Sequence, residues 1–404
     1  MIAFRLSGLR TDAKGKLRPT GLPGRAFSGF VADMSGPRYT ELAESLPATV
    51  PFVGPETQER ARGRPFRARL GANENLFGTS PRAVEAMRRA AAEVWMYGDA
   101  QSHDLRQALA ARMGVDMQNV MVGGGIDGLL GSLVRLTVEP GDAVVTSDGA
   151  YPTFNYHVNG FGGVLHKVPY RDDHEDPDAL IAKAAETGAK LIYLSNPDNP
   201  MGSWHDAARI QAMIEAVPEG SLLILDEAYL EFAPAGTAPT IDPDDPRVIR
   251  MRTFSKAYGM AGARVGYAVA HPALIGSFNK VRDHFGMSRA SQEGSLAALD
   301  DGAWLDATLA RVSAARERIA GIARDNGLVP LPSAANFVSI DCGRDGEFAR
   351  AVLAALVERD VFVRMPFVPP GDRCIRVSAG PEEALQVFAD EFPGALQAAR
   401  APAG

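Results

Sequence analysis

Two cysteines, Cys342 and Cys374, are too few for a disulfide framework in a chain of 404 residues, and nothing in their spacing suggests a metal site. Such usage fits a reducing compartment, and a cytoplasmic protein is expected. Long apolar runs are also missing: stretches such as 221–225 are far too short to span a bilayer, which excludes membrane insertion by a helix. Lysine is scarce, with seven in the whole chain, and the 42 Lys and Arg are outnumbered by 49 Asp and Glu, for a formal charge of −7. That balance argues against nucleic acid as a main partner. The remaining composition, 46% hydrophobic and 23% charged, is that of a globular protein able to bury a large core in two or three domains.

The first 33 residues depart from this average, with six Lys or Arg against two Asp. They contain no apolar core of a secretory signal, so they read as a basic, disordered leader, with Met34 a plausible native start. Residues 34–78 read as an N-terminal arm that carries one short helix near 40–45 and contributes to a small domain.

One of the seven lysines stands out. A mostly apolar run at 248–251 reads as a buried strand, and it leads into Thr253-Phe254-Ser255-Lys256-Ala257-Tyr258-Gly259, with Arg264 eight residues beyond the lysine. Strand ends are where α/β sheets place their chemistry. Most Ser-Lys pairs are only a solvated turn, but a desolvated amine at such a place can lose its proton and form a Schiff base with a carbonyl.

Two further strands end in polar groups. The run 190–194 leads into Ser195-Asn196-Pro197-Asp198-Asn199-Pro200, and 221–225 ends in Asp226-Glu227-Ala228-Tyr229. The latter also resembles a Walker B strand, but the chain has no G-x-x-x-x-G-K-[S/T] to accompany it. Upstream, a strand at 119–122 runs into Gly123-Gly124-Gly125-Ile126-Asp127-Gly128, which opens a helix to about Leu136. Glycines let backbone amides approach an anion and the helix N-terminus adds partial positive charge, so this is a phosphate site by construction. The same window satisfies G-x-G-x-x-G with Asp148 twenty residues on, so a nicotinamide-binding oxidoreductase is a rival reading of this window alone.

The segment from Thr253 to Tyr267 resembles the lysine segment of the fold-type I aminotransferases that use pyridoxal 5′-phosphate (PLP). The resemblance runs from about Leu70 to about Phe392 and is strongest to the histidinol-phosphate aminotransferase branch. It implies an α/β fold: a large PLP-binding domain over 79–285 with a mainly parallel, seven-stranded-type sheet, and a smaller α+β domain over 286–404. It implies that Lys256 holds the cofactor and moves protons, that Asp226 pairs with the pyridine nitrogen, and that Tyr229 and Asn199 donate to the ring oxygen. Ser255, Arg264 and the loop Gly125-Ile126-Asp127 would hold the phosphate. Phe154, from the cluster Tyr151-Pro152-Thr153-Phe154, would stack on the ring. Tyr97 would complete the phosphate cup of the neighbouring subunit in a homodimer. Relatives usually carry other residues where Ile126 and Met201 stand.

In the second half, Leu305, Leu309, Val312, Ile319 and Ile322 mark a long amphipathic helix from about Asp283, followed by strands near 337–340, 361–363 and 375–377. Arg364 and Arg376 interrupt two of these strands. An arginine in an apolar strand needs a partner, either a structural Asp or Glu or a bound anion. The resemblance assigns Arg376 to the substrate carboxylate and puts the segment of Asn73 at the entrance to the site; Asn73 and Arg364 are further candidates for substrate binding, a structural ion pair being an equal reading for Arg364. The implied substrates are an amino donor and a 2-oxo acid, with L-histidinol phosphate and 2-oxoglutarate favoured. Aromatic or broad-specificity transamination, and decarboxylation of a phosphorylated amino acid, share these motifs.

Overall fold

The computed structural model describes residues 9–11, 17–19, 36–48 and 52–401, which fall into two compact units, 1–45 and 46–404. In the first unit Leu9–Thr11 and Leu17–Pro19 form an antiparallel pair, inside the leader expected to be unstructured, and Glu41–Ser45 form the short helix. The other residues of the leader lie outside the described ones.

The second unit is built on a seven-stranded sheet. In chain order its strands are β1 (Val120–Gly123), β2 (Ala143–Ser147), β3 (Val164–Val168), β4 (Leu191–Ser195), β5 (Leu222–Asp226), β6 (Val248–Thr253) and β7 (Gly266–Val269). Their spatial order is β1-β7-β6-β5-β4-β2-β3. All neighbours are parallel except β7, which is antiparallel to both β1 and β6. The architecture is therefore α/β with a mainly parallel sheet, as expected.

A parallel sheet covered by helices on both faces needs strands that are apolar throughout, and β4 and β5 are buried at every residue. Their alternation sorts the two cores. Leu191, Tyr193, Leu222 and Ile224 join one cluster, and Ile192, Leu194, Leu223 and Leu225 the other. Because Tyr193 and Asp226 are separated from these neighbours by even steps, both point to the face occupied by the helix Gly125–Thr137.

The amphipathic stretch expected as one long helix from about Asp283 is two helices, Arg289–Leu299 and Gly302–Asp325. The break is local: the Asp301 side chain accepts from the Trp304 amide and so caps a new helix instead of continuing the old one. Beyond it, β8 (Val329–Pro330), β9 (Phe337–Asp341) and β10 (Cys374–Ser378) form a small antiparallel sheet, and Val361–Phe362 pair in parallel with Ala68–Arg69. No helix among the described residues is long and apolar enough to cross a membrane.

Candidate active site

The carboxyl ends of β2, β4, β5 and β6 open on one cavity of about 700 Å³. Its walls hold Asn73, Ile126, Asp127, Asn199, Asp226, Tyr229, Ser255, Lys256, Arg264, Arg364 and Arg376, so residues scattered over three hundred positions converge on one space.

At its floor lies Asp226, the last residue of β5 and only 4% exposed. Tyr193 donates to its Oδ2 at 2.7 Å and the Ala228 amide to its Oδ1 at 3.0 Å. Burial pushes its pKa up to about 6, and the Tyr193 bond opposes that rise. Next in sequence, Glu227 is engaged elsewhere. Arg250 reaches its Oε1 at 2.5 Å and Arg252 its Oε2 at 2.8 Å, which ties the end of β5 to β6. A carboxylate so occupied is a strut, not a metal ligand of the Walker B kind.

Lys256 follows β6. Its Nζ donates to the Asn73 carbonyl at 3.2 Å and lies 5.6 Å from the centre of the Tyr229 ring. Asn73 is buried with φ +55° and knits the site together: its Nδ2 donates to the Tyr229 hydroxyl at 3.1 Å, and its Oδ1 accepts from Ser378 at 3.2 Å. Tyr229 therefore accepts from Asn73 and keeps its own proton to give away.

The glycine-rich loop sits where β1 meets its helix. Gly125, at φ +80°, opens the helix Gly125–Thr137, whose N-cap Gly124 offers no side-chain cap, so the first amides point out unsatisfied. A Cβ on Gly125 would lie 2.6 Å from Arg264 Nη2, and one on Gly266 would lie 2.6 Å from the backbone of Gly125 and Ile126. Only glycine allows this approach. Ser255 Oγ lines the cavity 3.0 Å from Thr253 Oγ1, whose single proton is shared between it and the Val265 carbonyl at 3.1 Å. Asp127 accepts from Tyr151 at 2.9 Å and lies 3.5 Å from Arg264 Nη2.

At the outer wall, Arg376 Nη1 donates to Asn199 Oδ1, so the Asn199 amide NH₂ is the group left to donate. The Arg376 Nε is buried without a partner, and burial pushes this guanidinium's pKa down to about 10. Arg364 Nη2 donates to the Val53 carbonyl at 2.9 Å. Among the described residues neither arginine meets a carboxylate, which removes the structural ion pair that the sequence left open for both.

Two expectations fare differently. Phe154 is fully buried and stacks on Tyr193 at 4.7 Å, so it is a core ring and does not wall the cavity. From the same segment Tyr151, Tyr156 and His157 do line it, and Tyr151, which precedes the helix Pro152–Gly160, sits at the sheet edge. Tyr97 is 77% exposed, packs on Phe285 at 4.6 Å, and is absent from its own chain's cavity. Asp148, the acidic residue of the nicotinamide reading, pairs with Lys167 at 2.9 Å outside this cavity.

The donor set fits PLP on three observations. An uncapped helix start beside Arg264 and Ser255 suits a phosphate, a buried carboxylate suits a cationic ring nitrogen, and the orphaned Arg376 Nε suits an anionic substrate.

Comparison with known proteins adds the following. The family model for aminotransferase class I and II matches residues 68–392. The histidinol-phosphate aminotransferase of Moorella thermoacetica is 33% identical over 356 residues, covering 87% of this chain and 91% of that one. That of Anaeromyxobacter sp. is 37% identical over 327 residues, covering 79% and 88%. Among solved structures, histidinol-phosphate aminotransferase from Sinorhizobium meliloti in complex with pyridoxal-5′-phosphate superposes with a TM-score of 0.87 at 50% identity, over 91% of this chain and 99% of that chain. Aspartate aminotransferase from Thermus thermophilus with maleate, at 22% identity and a TM-score of 0.73 over 89% of this chain and 100% of that one, shares the fold.

Proposed function

The chain belongs to the class I and II aminotransferases, and from that premise we propose that it moves the amino group of L-histidinol phosphate to 2-oxoglutarate with PLP as cofactor. The observation that supports the substrate is the pair of arginines on the cavity wall that, among the described residues, meet no carboxylate. Both proposed substrates are anions, one a phosphate ester and the other a dicarboxylate, so one basic wall serves both half-reactions.

Bound PLP supplies a carbonyl that takes up the amino group and a protonated ring that accepts the electron pair left at the substrate's α-carbon. The protein does the rest. Lys256 Nζ removes and returns the α-proton as general base and acid. Asp226 sets a negative charge against the ring nitrogen, and Tyr229 and Asn199 donate to the ring hydroxyl. Ser255, Arg264 and the amides at Gly125 and Ile126 hold the phosphate, Asp127 orients Arg264 and Tyr151, and Arg376 and Arg364 hold the substrate anion. Asn73 fixes the Tyr229 hydroxyl and receives the free lysine.

The test is a donor panel of L-histidinol phosphate, tyrosine, phenylalanine, aspartate and O-phosphothreonine with 2-oxoglutarate, following glutamate and carbon dioxide separately. Histidinol phosphate should lead in kcat/KM by roughly 10²-fold, since a site with committed ionic groups rejects donors that leave them unpaired. Another donor in front, or carbon dioxide without glutamate, would replace this reading with broad transamination or decarboxylation.

The same proposal includes an arm over 34–78, a large domain over 79–285 and a small one over 286–404, a cytoplasmic setting, and a homodimer. Val94, Trp95, Tyr97 and Phe285 are 63%, 80%, 77% and 53% exposed, an apolar group that a second copy would cover. With Tyr97 lending its hydroxyl to the partner's phosphate cup, mixing inactive Lys256→Ala with impaired Tyr97→Ala subunits leaves one intact site per heterodimer. Up to half of wild-type activity per dimer should return. Verified heterodimers with no recovery would mean that Tyr97 serves its own subunit.

A further inference from the structure

Tyr193 lies in the middle of β4, where its neighbours are core residues, and its hydroxyl is the only polar atom its side chain brings there. In the parallel register Ser195 faces Asp226 and Tyr193 faces Ile224, so Tyr193 is one same-face position behind the carboxylate. A phenol is long enough to bridge that offset, and it does: the hydroxyl donates to Asp226 Oδ2 at 2.7 Å. Phe154 stacks on the other side of the ring at 4.7 Å and removes its freedom to turn away. Tyr193 is fully buried and Asp226 nearly so, so the bond lies behind the cavity floor.

We propose that Tyr193 is a positioning residue for Asp226, whose phenol fixes the carboxylate's orientation and holds it ionised against a cationic ring; this rests on the PLP reading above. An ionised carboxylate only accepts, and a tyrosine held with its donor toward it stabilises that form selectively. The surroundings otherwise work against ionisation. Asp127, from the helix Gly125–Thr137, and Glu227, next along the chain, are like charges, and burial raises the pKa further. Glu175 and Tyr151 also face the Tyr193 hydroxyl and help keep it protonated. His157, which faces Asp127, has its pKa lowered by burial, and Lys256 Nζ is turned to the Asn73 carbonyl. Besides Tyr193, the Ala228 amide is the other group that donates to Asp226.

The full-length chain, labelled with ¹³C at aspartate carboxyls and with the Asp226 signal assigned by its loss in Asp226→Asn, gives a direct titration without cofactor. In Tyr193→Phe the Asp226 midpoint should move up by on the order of one pH unit. PLP should bind the variant roughly twofold more weakly at pH 7 and nearly tenfold more weakly near pH 5, and the gap should close toward pH 9, where Asp226 is ionised in both proteins. In an Asp226→Asn background Tyr193→Phe should no longer change the affinity. A folded Tyr193→Phe protein with an unmoved midpoint would overturn the proposal. Should that variant not fold, the wild-type titration decides: a midpoint near 6 supports an ionised Asp226, and one above about 8 overturns it. Failure of the wild type to bind PLP would overturn the cofactor reading instead, and the titration would still judge Tyr193.

Discussion

Lys256→Ala is expected to abolish turnover, lowering kcat by on the order of 10⁴-fold or more, with the fold intact. The size follows from the geometry. Lys256 Nζ is the one amine on the cavity wall, and the lysine segment holds it between β6 and the Tyr229 ring, 5.6 Å from its centre. Stability should hardly change, because the amine makes one hydrogen bond, to the Asn73 carbonyl, worth about 1 kcal/mol. Steady-state kinetics alongside thermal unfolding checks both halves. A variant that loses activity and unfolds early would make Lys256 a structural residue.

Asp226→Asn should bind cofactor at saturating concentration yet lose roughly 10²- to 10³-fold in kcat. Asparagine keeps the shape: its oxygen can accept from the Ala228 amide while its NH₂ donates to the Tyr193 hydroxyl, which can turn to accept, so what is lost is chiefly the charge. With the pKa of the cofactor-free wild type raised to about 6, its affinity for PLP should fall as Asp226 gains a proton below that value, and the Asn variant should lack this dependence. The same burial has an opposite effect on stability. A carboxyl whose folded pKa lies above its unfolded value favours the fold at low pH. That contribution is full below about pH 4 and is lost as pH rises through 6. Wild type should therefore lose more stability than Asp226→Asn between pH 4 and 7 in urea titrations. Near wild-type turnover in the Asn variant would sink the assignment.

Much of this site could be read from the sequence because three parallel strands announce themselves as apolar runs that end in polar clusters, and a parallel sheet collects those ends on one edge. Asp226, Asn199, Ser255, Lys256 and the loop at Gly125 came together for that reason. What escaped depended on direction. Tyr151 and Phe154 are three residues apart around a helix start, and sequence does not say which ring faces the cavity; Pro152 opens the helix, leaving Tyr151 on the sheet edge and sending Phe154 inward. Tyr193 reads as core within an apolar strand, and only the register of β4 against β5 shows its hydroxyl meeting Asp226. Strand β7 was hidden by its shortness and by the glycine that opens it, Gly266, whose missing side chain lets the glycine-rich loop at Gly125 close on the sheet. The break at Asp301 was concealed by an amphipathic pattern that continues on both sides.

The account turns on Lys256 as the residue that holds PLP, and borohydride reduction tests this most directly. Wild-type protein loaded with PLP, reduced, digested and mapped by mass should carry the phosphopyridoxyl group on the peptide containing Lys256 and on no other lysine of the seven, and Lys256→Ala should take up none. A label on a different lysine, or equal labelling of wild type and Lys256→Ala, would contradict it.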